Sequence, residues 1–453
     1  MMRPAPIPMK DLDSACPVPE LRASERRDPY YSAQFSTTAH AIWLESEIAR
    51  LQATAGATPV PSWLRSTHLR DDFTWTGQRE MRRQMLPPLG AIHSWRTLSC
   101  DQVASFTGQA KLRSGRSPRM SQLWAHGLID VGATPTGTGI ALGEPHGMLY
   151  RPAARQGPDR FARLDGSLSV PESIAITGGT EFNGAHSADR HAVLCAEASL
   201  RVAEFLPVQA ILGDALNSID NLTNGGHGSA RTDSQLCPDA VWVLNGLRIC
   251  VEFTATASQS LSKKADLWAQ LLEDHTLNDT GIVVLFLAVD RQDLDGRPGH
   301  SNVTLQTKKA VAKAIRKHPG GLRNWTGSRF LVADYRDYFP AANTVTSDFL
   351  DLMVDAFTGD PVSPWRSVSL LDSDTVPFTP THGWDPMPVV RNAGALFQSP
   401  FWLRDVAEPP ALWQLAVGAN PPVRIDELSG KPNARPVPAA SIPDRLRVLG
   451  GLG

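Results

Sequence analysis

The sequence predicts an α/β protein of the α+β kind: an N-terminal winged helix-turn-helix, then a mixed sheet flanked by helices, then a Pro/Trp-rich C-terminal extension. Three observations predict it. Residues 79–152 hold two short amphipathic stretches followed by two apolar runs around a Gly/Thr-rich turn. Residues 189–335 alternate in the order helix, hairpin, helix, strand, helix, strand. Beyond Asp360 the periodicity fades into segments such as "VPFTPTHGWDPMPVV". A chain of 453 residues suits two or three domains. We divide it into 1–60 (extended arm and helix), 61–155 (winged helix-turn-helix), 156–340 (mixed α/β domain) and 341–453 (extension).

Residues 1–35 are rich in Pro, Arg and Asp and are expected to be extended or mobile. Ile42, Leu44, Ile48 and Leu51 stand near helical spacing, so a packing or dimerising helix is expected from Thr37 to Gln52. In "RTLSCDQVASFTGQ", Ser99 is an N-cap and Gly108 a stop. In "SPRMSQLWAHGLIDVG", Pro118 opens a second helix and Gly127 closes it. "LIDVG" and "HGMLYRPA" read as the two strands of a wing, which completes the order of a winged helix-turn-helix. Residues 152–185 look loop-rich and 217–235 form a polar loop. Helices are expected at Asp189–Leu206, Ser260–Asp274 and 304–318, with strands at 281–290 and 329–335.

Composition limits the function. The formal net charge is −2, so any attraction for a polyanion must come from local patches. Five cysteines without a CxxC pair argue against a disulfide scaffold or structural zinc, and suit a reducing cytoplasm. No apolar run is long enough to span a bilayer, and "MMRPAPIPMKDLDSACP" lacks the apolar centre of a signal peptide. A cytoplasmic protein without membrane association is expected.

The chemistry concentrates in "CPDAVWVLNGLRICVEFTAT", residues 237–256. Asn245-Gly246 is a hairpin turn between two apolar strands. An antiparallel register then brings Asp239, at the start of the first strand, beside Glu252 near the end of the second. Two carboxylates that close repel unless a cation lies between them, and hard divalent ions take oxygen ligands. A Mg²⁺ or Mn²⁺ there would position water and neutralise a phosphate. Read singly, each carboxylate is strand-end punctuation.

Pro238-Asp239 followed by Glu252-x-Thr254 resembles the PD-(D/E)XK nuclease superfamily, as does the helix–strand–strand–helix–strand order. The resemblance implies that Asp239 and Glu252 hold Mg²⁺ and that a lysine supports the attacking water. The usual place for it, two residues after the Glu, is Thr254. The resemblance therefore points to Lys263 or Lys264 on the next helix, with Gln259 a further candidate and Glu204 or Glu197 a possible extra carboxylate. Together with "CDQVASFTG", "SQLWAHGLIDV", "RHAVLCAEASLRVAEF" and "SLSKKADLWAQ", the pattern resembles the replication-relaxation family of plasmids and mobile elements over roughly residues 80–335. Those proteins pair a winged helix with a nuclease-like domain, which implies double-stranded DNA as partner.

Charge agrees with that partner. Between Arg79 and Val131, eight basic residues face Glu80, Asp101 and Asp130, and Lys111, Arg113, Arg116 and Arg119 precede or open the second helix. From Arg297 to Arg329 there is no Asp or Glu, and Lys309, Lys313, Arg316 and Lys317 share a helix face. His186, His191 and His227 lack zinc-ligand spacing and read as capping or loop residues. The leading expectation is a DNA-binding protein of a mobile element whose nuclease-like domain engages or nicks duplex DNA. The alternatives are an inactive nuclease-fold accessory, and an oligomeric assembly protein built through the N-terminal helix and the extension.

Overall fold

The computed structural model describes residues 4–36, 38–55, 60–65, 72–136, 139–140, 147–178, 181–184, 188–217, 236–255, 259–294, 302–379 and 396–404. Most of the wing turn, His186, His227 and most of the Pro-rich extension lie outside them. The architecture is mixed α and β. No described helix is long and apolar enough to cross a membrane.

The N-terminal unit comprises β1 (Ile42–Leu44), α1 (Arg79–Trp95), β2 (Leu98–Ser99), α2 (Cys100–Thr107), α3 (Pro118–Ala125), β3 (Ile129–Ala133) and β4 (Met148–Pro152). Its antiparallel sheet runs β1-β3-β4-β2. Local chemistry sets the helix ends as expected. Ser99 and Gln102 close a reciprocal capping box on α2, and Gly108 ends that helix at φ +75°. Pro118 stands in the first turn of α3.

Three expectations fail here. The helix expected over Thr37–Gln52 is instead β1 followed by a helix at Ser46–Thr54. Trp43 pairs opposite Gly132, where a Cβ would meet its ring at 2.5 Å, so tertiary packing overrides helical spacing. The 152–185 stretch carries helices Gly157–Asp165 and Val170–Thr177, and Phe161 of the first stacks on Phe182 at 4.5 Å. The N-terminal arm is also fastened down. Arg26 is buried between Glu197 and Glu204, Asp28 pairs with Arg201, and Ile7–Pro8 pairs with Thr344–Val345.

The larger sheet has seven strands: β5 (Ala210–Gly213), β6 (Ala240–Leu244), β7 (Leu247–Thr254), β8 (Ile282–Ala288), β9 (Phe330–Asp334), β10 (Met353–Phe357) and β11 (Trp365–Ser369). They stand side by side in chain order. β7, β8 and β9 are mutually parallel, and every other pairing is antiparallel. Asn245 and Gly246 sit at φ +51° and +81°, the mirror-image turn that suits a two-residue hairpin. The sheet does not end near residue 340, because β10 and β11 extend it.

Helix α4 (Asp189–Phe205) belongs to the large core on one side of this sheet. Helices α5 (Gln259–Asp274) and α6 (Val303–Lys317) cover the other side. Alternate residues of β7 divide between the two cores: Ile249, Val251 and Phe253 pack toward α4, and Cys250 toward α5 and α6. That alternation puts Glu252 on the α5 side.

Candidate functional site

The hairpin register sets the site. Val251 stands opposite Ala240, and the Asp239 N–H donates to Val251 O at 3.0 Å, which carries the pairing one step on to Asp239 and Glu252. Asn217, on the turn after β5, donates its amide to Pro238 O at 3.2 Å and holds the approach to that strand. One Asp239 carboxylate oxygen accepts the Phe253 N–H at 2.7 Å. The other lies 2.9 Å from His191 Nε2 and 3.8 Å from Lys264 Nζ. Glu252 is 1% exposed; it accepts from Trp268 Nε1 at 2.6 Å and pairs directly with the Lys264 amine. Lys264 and Trp268 are four residues apart on α5, so one face of that helix presents both to the carboxylate.

These neighbours set the charges. Burial alone would raise the Asp239 carboxyl, but His191, Lys264 and the Phe253 N–H hold it well below the usual carboxylate range. Burial pushes the Glu252 carboxyl up to about 8, against the pull of Lys264 and with Asp239 adding to the rise. Burial also opposes the charge on Lys264 and on His191; Asp239 outweighs it in both, aided by Glu252 at the lysine, and both groups titrate above their ordinary values. At neutral pH the site holds an ionised Asp239 and a lysinium, with Glu252 accepting from Trp268 and in contact with that lysinium.

The carboxylates meet at the Lys264 ammonium. Mg²⁺ is commonly held by one or two carboxylates with water completing the shell, so Asp239 and Glu252 fit such an ion, which would share them with that ammonium or displace it. Among the described residues no cluster of three or more His, Cys, Asp or Glu side chains is set to hold a metal.

The other site candidates divide. Lys264 reaches the carboxylates; Lys263 and Gln259 lie on the exposed side of the same helix. Thr254 is buried at the end of β7. Glu204 is not part of the site. It stands thirteen residues beyond His191 on α4, roughly 20 Å along the axis. Its oxygens take the Ser14 hydroxyl, the Ala23 N–H and Arg26. Glu197 is held by Arg26 and Arg201.

Among the basic candidates, Lys111, Arg116, Lys309, Lys313 and Arg316 are exposed. Lys317 is 60% exposed but pairs with Asp266. Arg113 is turned inward, paired with Asp101 at 3.0 Å and donating to Glu20 O and Glu25 O, so it ties down the N-terminal arm. Arg119 donates to Gln84 at 2.6 Å. On α3, Met120, Ser121, Leu123, Trp124 and Ala125 are buried, which leaves Pro118, Arg119 and Gln122 toward the surface.

Two site residues escape the sequence reading. His191 looks like a capping residue, and Trp268 like plain core. The available signal is spacing: His191 and Cys195 are four apart on α4, and the Cys195 thiol donates to Asp239 O at 3.3 Å, so that face is the one turned to the hairpin. The five cysteines are all free. No family model matches the chain, and no curated protein or solved structure matches it.

Proposed function

We propose that this chain is a DNA-binding protein whose Asp239–Glu252–Lys264 site engages duplex DNA and, with a divalent metal, nicks it. The observation that carries the reading is the Lys264 amine. It arrives from the helix after the hairpin and reaches both carboxylates, taking the role that Thr254 cannot fill. This is the arrangement implied by the resemblance to the PD-(D/E)XK superfamily, and it favours a mobile-element protein of the replication-relaxation type.

A Mg²⁺ held by Asp239 and Glu252 would neutralise the scissile phosphate and lower the pKa of a bound water. The chain supplies the rest. Trp268 fixes one oxygen of Glu252, the Phe253 N–H and His191 fix Asp239, and Lys264 carries the positive charge that an anionic phosphate would meet. Duplex contact is supported by the order helix–strand–helix–helix–strand–strand of the N-terminal unit, which is that of a winged helix, and by Lys111, Arg116 and the outward end of α3. Lys309, Lys313 and Arg316 add a one-sign face on α6.

A second reading is favoured by the direct Lys264–Glu252 pair: the ammonium fills the place of the metal, and the protein binds DNA without cutting it. The test is supercoiled plasmid with Mg²⁺ or Mn²⁺. Open-circular product is expected, and Asp239→Ala and Glu252→Ala should abolish it. No product in either metal, or product that survives both changes, ends the nuclease reading; salt-dependent duplex binding would then leave the non-cutting one.

A further inference from the structure

We infer that the cleft between α1, α2, α4 and β5 is a linear-peptide recognition site, and that its ligand is the segment Leu396–Arg404 of this chain, "LFQSPFWLR". The inference is independent of the nuclease reading. Its hydrogen-bond partners Ser94, Trp95, Phe106, Ala175, Ala203 and Gly213 all lie more than 150 residues earlier in the chain, and these contacts are those of a bound peptide read by sequence rather than of a loop closing over its neighbours.

The reading centres on Gln398, which is 1% exposed. Its side-chain oxygen accepts from Ser94 Oγ at 3.1 Å and from the Gly213 N–H at 2.9 Å, and its backbone carbonyl accepts from Trp95 Nε1 at 3.0 Å. A buried glutamine joined to two separate elements discriminates strongly, because an apolar replacement leaves both buried donors unpaired. The Phe397 N–H donates to Ala175 O at 2.8 Å.

Two glycines shape the walls. A Cβ at Gly90 would stand 2.6 Å from Phe397 Cβ and 3.2 Å from Ile176 Cα in the neighbouring helix, and one at Gly108 would stand 2.9 Å from the Phe401 ring. Gly90 lies inside α1, where alanine is the better helix former, so local propensity alone does not favour glycine there.

The far end of the segment caps helices. Trp402 Nε1 donates to Ala203 O at 3.1 Å, in the last turn of α4, and the Arg404 guanidinium donates to Phe106 O, in the last turn of α2. Those carbonyls belong to the set that a helix leaves unsatisfied. The Arg404 guanidinium also lies 5.5 Å from the centre of the Phe397 ring, folding the peptide on itself. Leu396 enters the core on the α5 side of the large sheet, while Phe397, Phe401, Trp402 and Leu403 pack on the core of the α4 side. One short segment thus joins the N-terminal unit to the mixed sheet.

The experiment uses the full-length chain with Gln398→Ala, and separately with Trp402→Ala, each of which weakens the resident segment. Fluorescein-labelled LFQSPFWLR is titrated in by anisotropy. Saturable binding to both variants is expected, at least tenfold weaker to the wild-type chain, whose cleft is filled. The same peptide with alanine for its glutamine should bind the variants at least tenfold more weakly. In a Gln398→Ala chain that also carries Gly90→Ala, the wall is closed and binding should disappear. No saturable binding to either variant, equal binding of the two peptides, equal binding to wild-type chain, or binding unaffected by Gly90→Ala would each overturn the inference.

Discussion

Arg26→Met should be among the most damaging single changes in the chain, although Arg26 lies in an arm that the sequence marks as extended or mobile. Its side chain is fully buried, donating to Glu197 at 3.1 Å, to Glu204 at 3.1 Å and to Leu21 O at 2.8 Å. Burial opposes the charge, but Glu197 and Glu204 outweigh it and hold the guanidinium above its ordinary pKa. Removing it leaves Glu204 without its cation and Glu197 with Arg201 alone. Breaking a buried pair from one side costs about 3–5 kcal/mol. Set against a typical total of about 5–15 kcal/mol, that is a fifth of the stability or more. Urea unfolding followed by tryptophan fluorescence should show the midpoint fall with the slope unchanged. The double variant Arg26→Met/Glu204→Gln should recover about 0.5–3 kcal/mol, since it removes the stranded charge. A loss under about 1 kcal/mol, or no recovery in the double variant, would refute the view that this network fastens the arm.

Other outcomes follow from the same geometry. Lys264→Ala should lower plasmid nicking by about 10²–10⁴-fold while the exposed Lys263→Ala stays near wild type; equal losses would deny Lys264 its place. Replacing Lys309, Lys313 and Arg316 with alanine should lessen the slope of log affinity against log salt by about 2–3 in a duplex titration, and an unchanged slope would clear α6 of phosphate contact. Burial, and then Arg96, hold the His93 imidazole down to about 3 from 6.5, so its contribution to stability is complete above pH 6.5 and is lost as pH falls. Between pH 6.5 and 5 that loss amounts to about 2 kcal/mol, and chemical denaturation of His93→Gln should show a flatter acid limb; an identical limb would remove His93 as the cause.

What could be read from the sequence was whatever is decided within a few residues. Ser99 announces its helix cap, Asn245-Gly246 its turn, and Pro118 its helix start, because the partner atoms are only a few positions away. Asp239 and Glu252 were legible for the same reason, since the hairpin makes them neighbours by arithmetic. What depends on distant chain was not. Trp43 takes a strand because Gly132 opens a space for it, Glu204 is claimed by an arm about 180 residues earlier, and Arg113 faces inward because Asp101 and the arm's carbonyls take it. The strands at 353–357 and 365–369 carry too weak an alternation to stand out, and only the open side of β9 makes them pair. His191 reaches Asp239 through the packing of α4, which periodicity places on a face but not against a partner.

The chain-order sheet has a consequence for how the protein is made. From β5 to β11 each strand is synthesised just after the neighbour it will pair with, so the sheet can be laid down one strand at a time as the ribosome delivers it. The first third of the chain enjoys no such schedule. Ile7–Pro8 waits for Thr344–Val345, and Trp95 and Ser94 wait for Gln398. The earliest residues made are therefore among the last to find their partners, and a nascent chain halted between residues 369 and 396 carries all the strands of the sheet beside an N-terminal unit with an open seam.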